Sequence, residues 1–338
     1  MRAHVLAWEG RYSDHHADAD SWIDPYPDSA HVRAAEPDAD RAELLGQCVD
    51  AVIASAELAG SLAVVTASQA PARSRPSNAD EYGVPAGRLH PALTDHDEIL
   101  ISHACASGGL ALAVGASLVD SGAVEQALVV AAMRPRFIEA AAFQSSGALS
   151  EQPYCRPFDH DADGTALGGF TGAVLLGAAD AGPQIAGIGI RTLGSGAQSD
   201  RASQRVCMTD AIDMAGVAPQ FVAAHATGTV HGDRVELDAV SDIGRDIGTR
   251  LPVSSCKGSI GHAVHAAGLA TALYALEAMA ADVLPGTARC TRPLEADHAE
   301  VVTAQHAVEG RGLDVGLVNA FGFGGSSCSL VLRWDRTA

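Results

Sequence analysis

The stretch at residues 106–119 consists almost entirely of Ala, Gly, Leu and Val and carries no charge. A helix of this composition has no polar face to turn towards solvent, so it must be enclosed by the rest of the chain. A short apolar run, residues 99–101, comes shortly before it. Together they predict a strand, a tight turn and a helix at the centre of the fold.

Cys105 lies in the predicted turn. Unpaired backbone N–H groups and the positive end of the dipole at a helix N-terminus favour a thiolate over a thiol. The position therefore suits a nucleophile. A lone cysteine in an apolar stretch is, however, more often buried and inert, and the residues downstream decide between the two.

The order of predicted elements repeats along the chain. Strands and helices continue to the turn at residues 178–182, and the pattern then restarts with a strand. A second small-residue helix, predicted at 263–281, mirrors the first. The repeat predicts a layered α/β architecture with internal duplication, divided into halves at 1–180 and 181–338.

Individual elements follow from hydrophobic periodicity and turn residues. Asp40 is the predicted N-cap of the first helix. The predicted helices are 40–58, 106–119, 201–215, 234–243 and 263–281. The predicted strands are 62–67, 127–133, 172–177, 183–193, 221–224, 253–255, 313–319 and 328–332.

Composition excludes several classes of protein. The net charge of −19 disfavours binding to nucleic acid or to an anionic membrane surface. We find no segment with the ~20 apolar residues of a membrane span, and the opening apolar run is too short for a signal peptide, so we expect a cytoplasmic protein. The seven cysteines are scattered without metal-ligand spacing. We therefore expect free thiols and no metal site.

Two histidines occur where predicted strands of the second half end. His225 follows the strand at 221–224, and His262 opens the second small-residue helix. Lys257 lies between this helix and the strand before it. Any one of them alone would more often be structural, but two histidines, a lysine and a cysteine in matching positions indicate an active site.

Five segments, in order, resemble the motif set of the β-ketoacyl synthases, condensing enzymes of the thiolase superfamily. The segments are HACASGG (103–109), YCRPFDHDADG (154–164), AHATGT (224–229), SSCKGSIGH (254–262) and NAFGFGGSS (319–327). The resemblance implies a five-layered αβαβα, thiolase-like fold with two duplicated halves. It also implies an enzyme of fatty acid or polyketide biosynthesis that condenses a thiol-bound acyl group with a decarboxylated malonyl thioester.

The resemblance implies a role for each matching residue. Cys105 would be acylated, and its backbone N–H would form an oxyanion hole with that of Phe323. His225 and His262 would bind the malonyl thioester and stabilise the enolate left when carbon dioxide departs. Lys257 would hold this cluster and keep both histidines from protonating readily.

The remaining matches imply contacts with the substrate. Glu236 would be the ionic partner of the lysine. Thr227 and Thr229 would bind a phosphopantetheine arm, carried by an acyl carrier protein or coenzyme A, so no bound cofactor is expected. Phe321 and Phe323 would gate the pocket, because the glycines around them allow the turn to move.

Alternatives remain open at this stage. The same cysteine could pass its acyl group to an amine or alcohol, as in an acyltransferase. The chain could instead be a non-condensing partner subunit, although such partners typically lack the cysteine. The family implies a homodimer, with a heterodimer as second choice. Compared with the family, the chain is shortened at residues 82–100 and 195–205, which bear on the dimer interface and the acyl pocket.

The implied partner raises an electrostatic conflict, because acyl carrier proteins are acidic and this chain is also acidic. Fields from exposed charges fade over about 8 Å at physiological salt, so a local basic patch decides docking. The candidate patches are Arg73 with Arg75, and Arg134 with Arg136.

Overall fold

A computed structural model describes residues 3–12, 31–34, 40–69, 86–193 and 200–336. The arginines at 73 and 75 lie outside these ranges. The helices are α1 Arg41–Ser55, α2 Ala86–Leu89, α3 Ser107–Asp120, α4 Phe137–Ser145, α5 Arg201–Ala215, α6 Val230–Ile247, α7 Lys257–Ile260 and α8 Ala267–Ala281. The strands are β1 His4–Tyr12, β2 Val32–Ala34, β3 Leu62–Ala67, β4 Asp97–Ile101, β5 Gln126–Met133, β6 Phe170–Gly177, β7 Pro183–Thr192, β8 Phe221–Ala223, β9 Leu251–Ser254, β10 Val283–Pro285, β11 Ala299–Val301, β12 Ala307–Glu309, β13 Val315–Gly322 and β14 Ser326–Trp334.

The two halves of the chain build their sheets in the same strand order. The first half runs β4-β3-β5-β6-β1, and the second runs β9-β8-β13-β14-β7 with β11 beside β9. In each half the first three strands are parallel and the fourth is antiparallel to its neighbours. The sheets meet where His4 pairs with Gln184. This repeated topology is an internal duplication, while the boundary placed between residues 180 and 181 stays a prediction.

Helices α3 and α8 lie between the two sheets and contact strands of both. Helix α1 covers the outer face of the first sheet, and α5 and α6 cover the outer face of the second. The layers are therefore αβαβα, as the sequence predicted. Residues Val264–Ala281 are long and apolar enough for a membrane span, yet 89% of that stretch is buried. It is the second enclosed helix of the core.

Helices α3 and α8 touch at their first turns through glycine. A Cβ atom on Gly108 would lie 2.5 Å from the backbone nitrogen of Leu269, and one on Gly268 would lie 2.3 Å from that of Gly109. No larger residue fits this approach without moving a backbone. The contact fixes the position of the N-terminus of α3, the end nearest Cys105.

Most predicted elements are confirmed, with shifted ends. Asp40 caps α1 by accepting hydrogen bonds from the N–H groups of Ala42 and Glu43. Helix α6 extends beyond its predicted 234–243. The helix predicted to begin at residue 263 starts instead with a 3₁₀ turn, because Val264 has a φ of 42°. Strand β1 and helix α4 were not predicted.

Candidate active site

Cys105 lies in a tight turn between β4 and α3. Ala104 has a φ of 47°, an uncommon conformation for a residue with a side chain. The Ser107 hydroxyl holds the turn by accepting from the N–H of His103 at 2.8 Å and donating to the carbonyl of Ala104 at 2.7 Å. The Cys105 side chain lines a cavity although the residue is only 3% exposed. The predicted strand, turn and helix are confirmed.

Burial raises the pKa of the Cys105 thiol to about 12. The positive charge of Lys257 and the backbone N–H groups of Phe323 and Cys105 oppose this rise without cancelling it. The expectation that the helix terminus yields a thiolate is therefore wrong, because desolvation outweighs the dipole. Cys105 is therefore a neutral thiol at physiological pH. The same two N–H groups lie at the sulfur, where an oxyanion hole was predicted.

His262 lies within hydrogen-bond distance of this thiol. Its Nε2 lies 3.1 Å from the Sγ of Cys105. The ring of His225 stands edge-on to that of His262, with 5.5 Å between the centroids. Burial, then the charge of Lys257, lower the pKa of His262 to about 3 and that of His225 well below its usual value. Both imidazoles are neutral at physiological pH, so each has one nitrogen to donate and one to accept.

Lys257 is the only lysine in the sequence, and it is 1% exposed. It opens α7, and its Nζ donates to Thr271 Oγ1 on α8 at 3.3 Å. The ion pairs among the described residues do not include one between Lys257 and Glu236, so the two charges interact without a salt bridge. The charge of Lys257 still helps to lower the pKa of Glu236. It acts on the site through the field it creates and not through a contact.

Glu236 instead fixes the backbone next to the first histidine. Its carboxylate accepts from the N–H groups of His225 at 2.8 Å and Ala226 at 2.7 Å, and from the side-chain amide of Asn319 at 2.9 Å. Asn319 in turn accepts from the hydroxyl of Ser329 at 2.8 Å. Burial raises the pKa of Glu236. The carboxylate thus positions the histidine loop against the strand pair β13 and β14.

Asp233, one helical turn earlier on α6, also holds backbone N–H groups in place. The sequence did not lead us to name it as a site residue. It accepts from the N–H groups of Thr227 at 2.9 Å and Phe158 at 2.7 Å, and burial raises its pKa to about 7. Its position three residues before Glu236 could have identified it, because this spacing places both carboxylates on one face of α6. Asn319 was also missed as a site residue, although it opens the last matched motif.

A cavity of about 780 Å³, its open mouth included, connects these groups to solvent. Cys105, both histidines and both predicted gate residues line it. Phe321 is 5% exposed and Phe323 45% exposed, so Phe323 marks the mouth. Thr227 and Thr229 also line the cavity, and their hydroxyls are 3.2 Å apart. Every predicted site residue except Lys257 therefore lines this cavity. Lys257 is buried behind the residues that line it.

Within the described ranges, no three His, Cys, Asp or Glu side chains are grouped so as to hold a metal ion. All seven cysteines are buried free thiols. The reactive groups at the cavity are a thiol, two neutral imidazoles and backbone N–H donors.

Several solved structures share this fold. The ketosynthase from module 6 of the bacillaene synthase of Bacillus subtilis 168 superimposes with a TM-score of 0.80 at 20% identity, covering 100% of this chain and 73% of that one. A β-ketoacyl synthase from Burkholderia phymatum STM815 gives 0.79 at 20% identity, with 99% and 100% covered. At this identity the likeness shows the fold, and the duplicated layers are those of the thiolase-like class.

Sequence comparisons identify the family. Residues 91–181 match the N-terminal domain of β-ketoacyl synthases and residues 184–291 match their C-terminal domain. The 3-oxoacyl-[acyl-carrier-protein] synthase 2 of Rhizobium meliloti is 31% identical over 252 residues, which are 68% of this chain and 59% of that protein. Highly reducing polyketide synthase 17 of Metarhizium anisopliae is 31% identical over 69% of this chain, and only 8% of that protein is covered. The chain belongs to the β-ketoacyl synthase family, and it spans well under two thirds of the length of these relatives.

Proposed function

We propose that this protein joins an acyl group held on Cys105 to a malonyl thioester by decarboxylative condensation. The observation that carries the proposal is the 3.1 Å contact between Cys105 Sγ and His262 Nε2. A second neutral histidine beside them and two backbone N–H groups at the sulfur complete the arrangement. Acylation alone would need one base, whereas the second histidine suits the decarboxylation step.

Loading begins when the Cys105 sulfur attacks the carbonyl carbon of an acyl thioester. The thiol proton moves through the hydrogen bond to His262 Nε2 in the same step in which the new S–C bond forms, because burial favours neither a free thiolate nor a free imidazolium. The N–H groups of Cys105 and Phe323 stabilise the negative charge on the carbonyl oxygen. The donor C–S bond then breaks, and the departing sulfur takes the proton from His262.

Condensation uses both histidines. Loss of carbon dioxide from the malonyl group leaves its electron pair in an enolate, whose oxygen accepts hydrogen bonds from His225 and His262. The Nδ1 atom of His225 has no hydrogen-bond partner among the described residues, so that ring can carry its proton on Nε2. His262, whose Nε2 takes the thiol proton during loading, exchanges to the tautomer protonated on Nε2 before it donates to the enolate. The enolate carbon attacks the acyl carbonyl, the S–C bond to Cys105 breaks, and one proton taken up from solvent restores the thiol.

The substrates we propose are thioesters of phosphopantetheine on an acyl carrier protein. The R. meliloti relative is named as a synthase of 3-oxoacyl groups on an acyl carrier protein. Thr227 and Thr229 line the outer part of the cavity, where they can hydrogen-bond the arm. Of the candidate docking residues, Arg134 is exposed, and Arg136 forms an ion pair with Glu139 at 2.9 Å.

We further propose a cytoplasmic homodimer, with a heterodimer as second choice. Helix α4 supports self-association, because Phe137 is 87% exposed and Ile138 63% exposed. Strand β4 ends the described sheet, and its Leu100 is 51% exposed. Apolar side chains at a sheet edge favour pairing with another chain. Light scattering at micromolar concentration tests this state, and an active monomer would contradict it.

Intact mass spectrometry tests the nucleophile. We expect incubation with an acyl-pantetheine thioester to add one acyl group to the wild-type protein and none to Cys105→Ala. Cys48→Ala is the matched control, because Cys48 is also a buried thiol and lies on the inner face of α1, away from the cavity. If Cys105→Ala is still acylated, or Cys48→Ala is not, Cys105 is not the nucleophile.

Release of carbon dioxide from a malonyl thioester tests the histidines. We expect His225→Ala to load an acyl group normally yet release little carbon dioxide, because its ring lies beyond His262 from the sulfur. We expect His262→Ala to lose both activities. Acylation lost from His225→Ala with an intact circular dichroism spectrum would assign that histidine to the thiol instead.

A further inference from the structure

Three polar side chains line the cavity that contains Cys105, and each has one buried oxygen atom without a hydrogen-bond partner among the described residues. They are Thr165 Oγ1, Ser203 Oγ and Gln204 Oε1, and none has a partner among the described residues. The three residues are 1%, 8% and 3% exposed, and all line the cavity that contains Cys105. A buried polar group left unpaired costs roughly 1–3 kcal/mol. Three around one cavity indicate a polar ligand.

Local structure holds these side chains in place. Thr165 is fixed by its backbone, which donates to the carbonyl of Ala148 and accepts from the N–H of Ser150, both at 2.8 Å. Ser203 and Gln204 lie in the first turn of α5, where the Asp200 carboxylate accepts from the N–H of Ser203 at 2.7 Å. The polar wall therefore comes from two separate elements and is not one loose loop.

The chemistry of the three atoms selects the ligand group. A serine or threonine hydroxyl can donate or accept, whereas the Gln204 carbonyl oxygen only accepts. A hydroxyl group satisfies both kinds of atom, because it can donate to Gln204 and accept from Ser203. A hydroxyl group also carries no charge, so it adds no repulsion beside the Asp200 carboxylate, which accepts from the N–H of Ser203 in the same wall.

The depth of the wall indicates which part of the substrate it meets. Phe323 at the mouth is 45% exposed, and Thr229, proposed to bind the arm, is half-buried. Thr165 and Gln204 are as deeply buried as Cys105, which is 3% exposed. Because Thr165 and Gln204 lie with Cys105 in the buried wall of one cavity, we assign them to the acyl chain near the thioester and assign the pantetheine arm to the mouth at the exposed Phe323.

From these observations, and resting on the proposed function, we propose that the cavity selects acyl groups carrying a hydroxyl. Thr165, Ser203 and Gln204 are the specificity-determining residues. A saturated acyl chain of the same length would leave all three buried atoms unpaired, so it would be the poorer substrate.

The experiment compares matched acyl-pantetheine thioesters: hexanoyl, 3-hydroxyhexanoyl and 5-hydroxyhexanoyl. The rate of acyl addition to Cys105 is followed by intact mass. In the wild-type protein we expect at least one hydroxyacyl donor to react roughly 3- to 10-fold faster than hexanoyl, the range of one net hydrogen bond. The variants Ser203→Ala, Gln204→Met and Thr165→Val should bring this ratio towards one. Gln47→Met, on the exposed face of α1, is the control and should keep the wild-type ratio.

The other possible outcomes refute either hydroxyl selection or the proposed function. Equal rates for all three donors in the wild-type protein, or a ratio that the three variants leave unchanged, would refute hydroxyl selection. An equal loss with every donor would show that the wall binds the arm and would also refute it. If no donor acylates Cys105 while the protein remains folded, the proposed function fails, which is a separate result. Thermal denaturation of each variant confirms that its fold is retained.

Discussion

Replacing Gly268 with alanine should destabilise the protein and disturb the nucleophile together. The new Cβ would lie 2.3 Å from the backbone nitrogen of Gly109 and 3.0 Å from the Cβ of Ala320. Favourable contacts between heavy atoms need about 3.5 Å, so the first turn of α3 has to move by about 1 Å. The obstacle is backbone, which cannot rotate aside as a flexible side chain could.

The magnitude follows from this geometry. Overpacking a core costs about 1–3 kcal/mol, and a backbone obstacle places Gly268→Ala at about 3 kcal/mol. For a chain of 338 residues we expect Tm to fall by roughly 4 °C. Cys105 comes just before the displaced turn, and a shift of about 1 Å should slow its acylation roughly 100-fold. Differential scanning calorimetry and intact mass measure the two effects.

Gly46→Ala is the matched control, because Gly46 also lies inside a helix. The atom nearest to its added Cβ is the carbonyl oxygen of Leu89 at 3.5 Å, an ordinary contact. Alanine should therefore raise stability there by about 0.5–1 kcal/mol. If Gly268→Ala melts as high as Gly46→Ala, or keeps the wild-type acylation rate, the two central helices do not cross in backbone contact.

Three further predictions concern the site and its partner. The rate of Cys105 alkylation by iodoacetamide should rise about tenfold per pH unit from about pH 7 to 10, because its pKa of about 12 keeps the thiolate scarce; a plateau near pH 8.5 in peptide-mapped rates would contradict this. Asn319→Ala should lower the free energy of unfolding in urea by about 1–3 kcal/mol, because the buried Glu236 loses a donor, and an unchanged midpoint would refute that contact. Arg134→Glu should slow acyl transfer from a carrier protein more than transfer from a pantetheine thioester, whereas equal losses would place the arginine in the fold or the pocket.

The enclosed helix was predictable because its composition allowed no other environment. Strand β1 was not, although Val5 and Ala7 alternate with less buried residues as a strand requires. The strand also contains Glu9 and Arg11, whose charges indicate an exposed segment. In the structure the two pair with each other and are 4% and 8% exposed. A buried ion pair formed within a strand cannot be distinguished by sequence from two solvated charges.

The site was predictable in its residues more than in its electrostatics. Cys105 and His225 could be named because each closely follows a strand, and His262 because it comes just before the second small-residue helix. The ionisation of the thiol depends on how completely the turn is desolvated, which no local pattern reports. Asp233 and Asn319 act through backbone N–H groups and a carboxylate brought near by the pairing of β13 with β8. Their contribution becomes visible only once the sheet is assembled.

The burial of Lys257 has a practical consequence for labelling. With no other lysine in the sequence, no lysine amine is exposed on the native surface for a succinimidyl ester or an aldehyde to attack. Amine-directed dyes, cross-linkers and coupling surfaces will therefore leave the native side chains of this chain largely untouched. A modification found at Lys257 by peptide mapping therefore marks molecules in which the structure around α7 has opened. The rate at which an amine reagent modifies Lys257 thus measures the rate of that opening, and no spectroscopic probe has to be introduced into the chain.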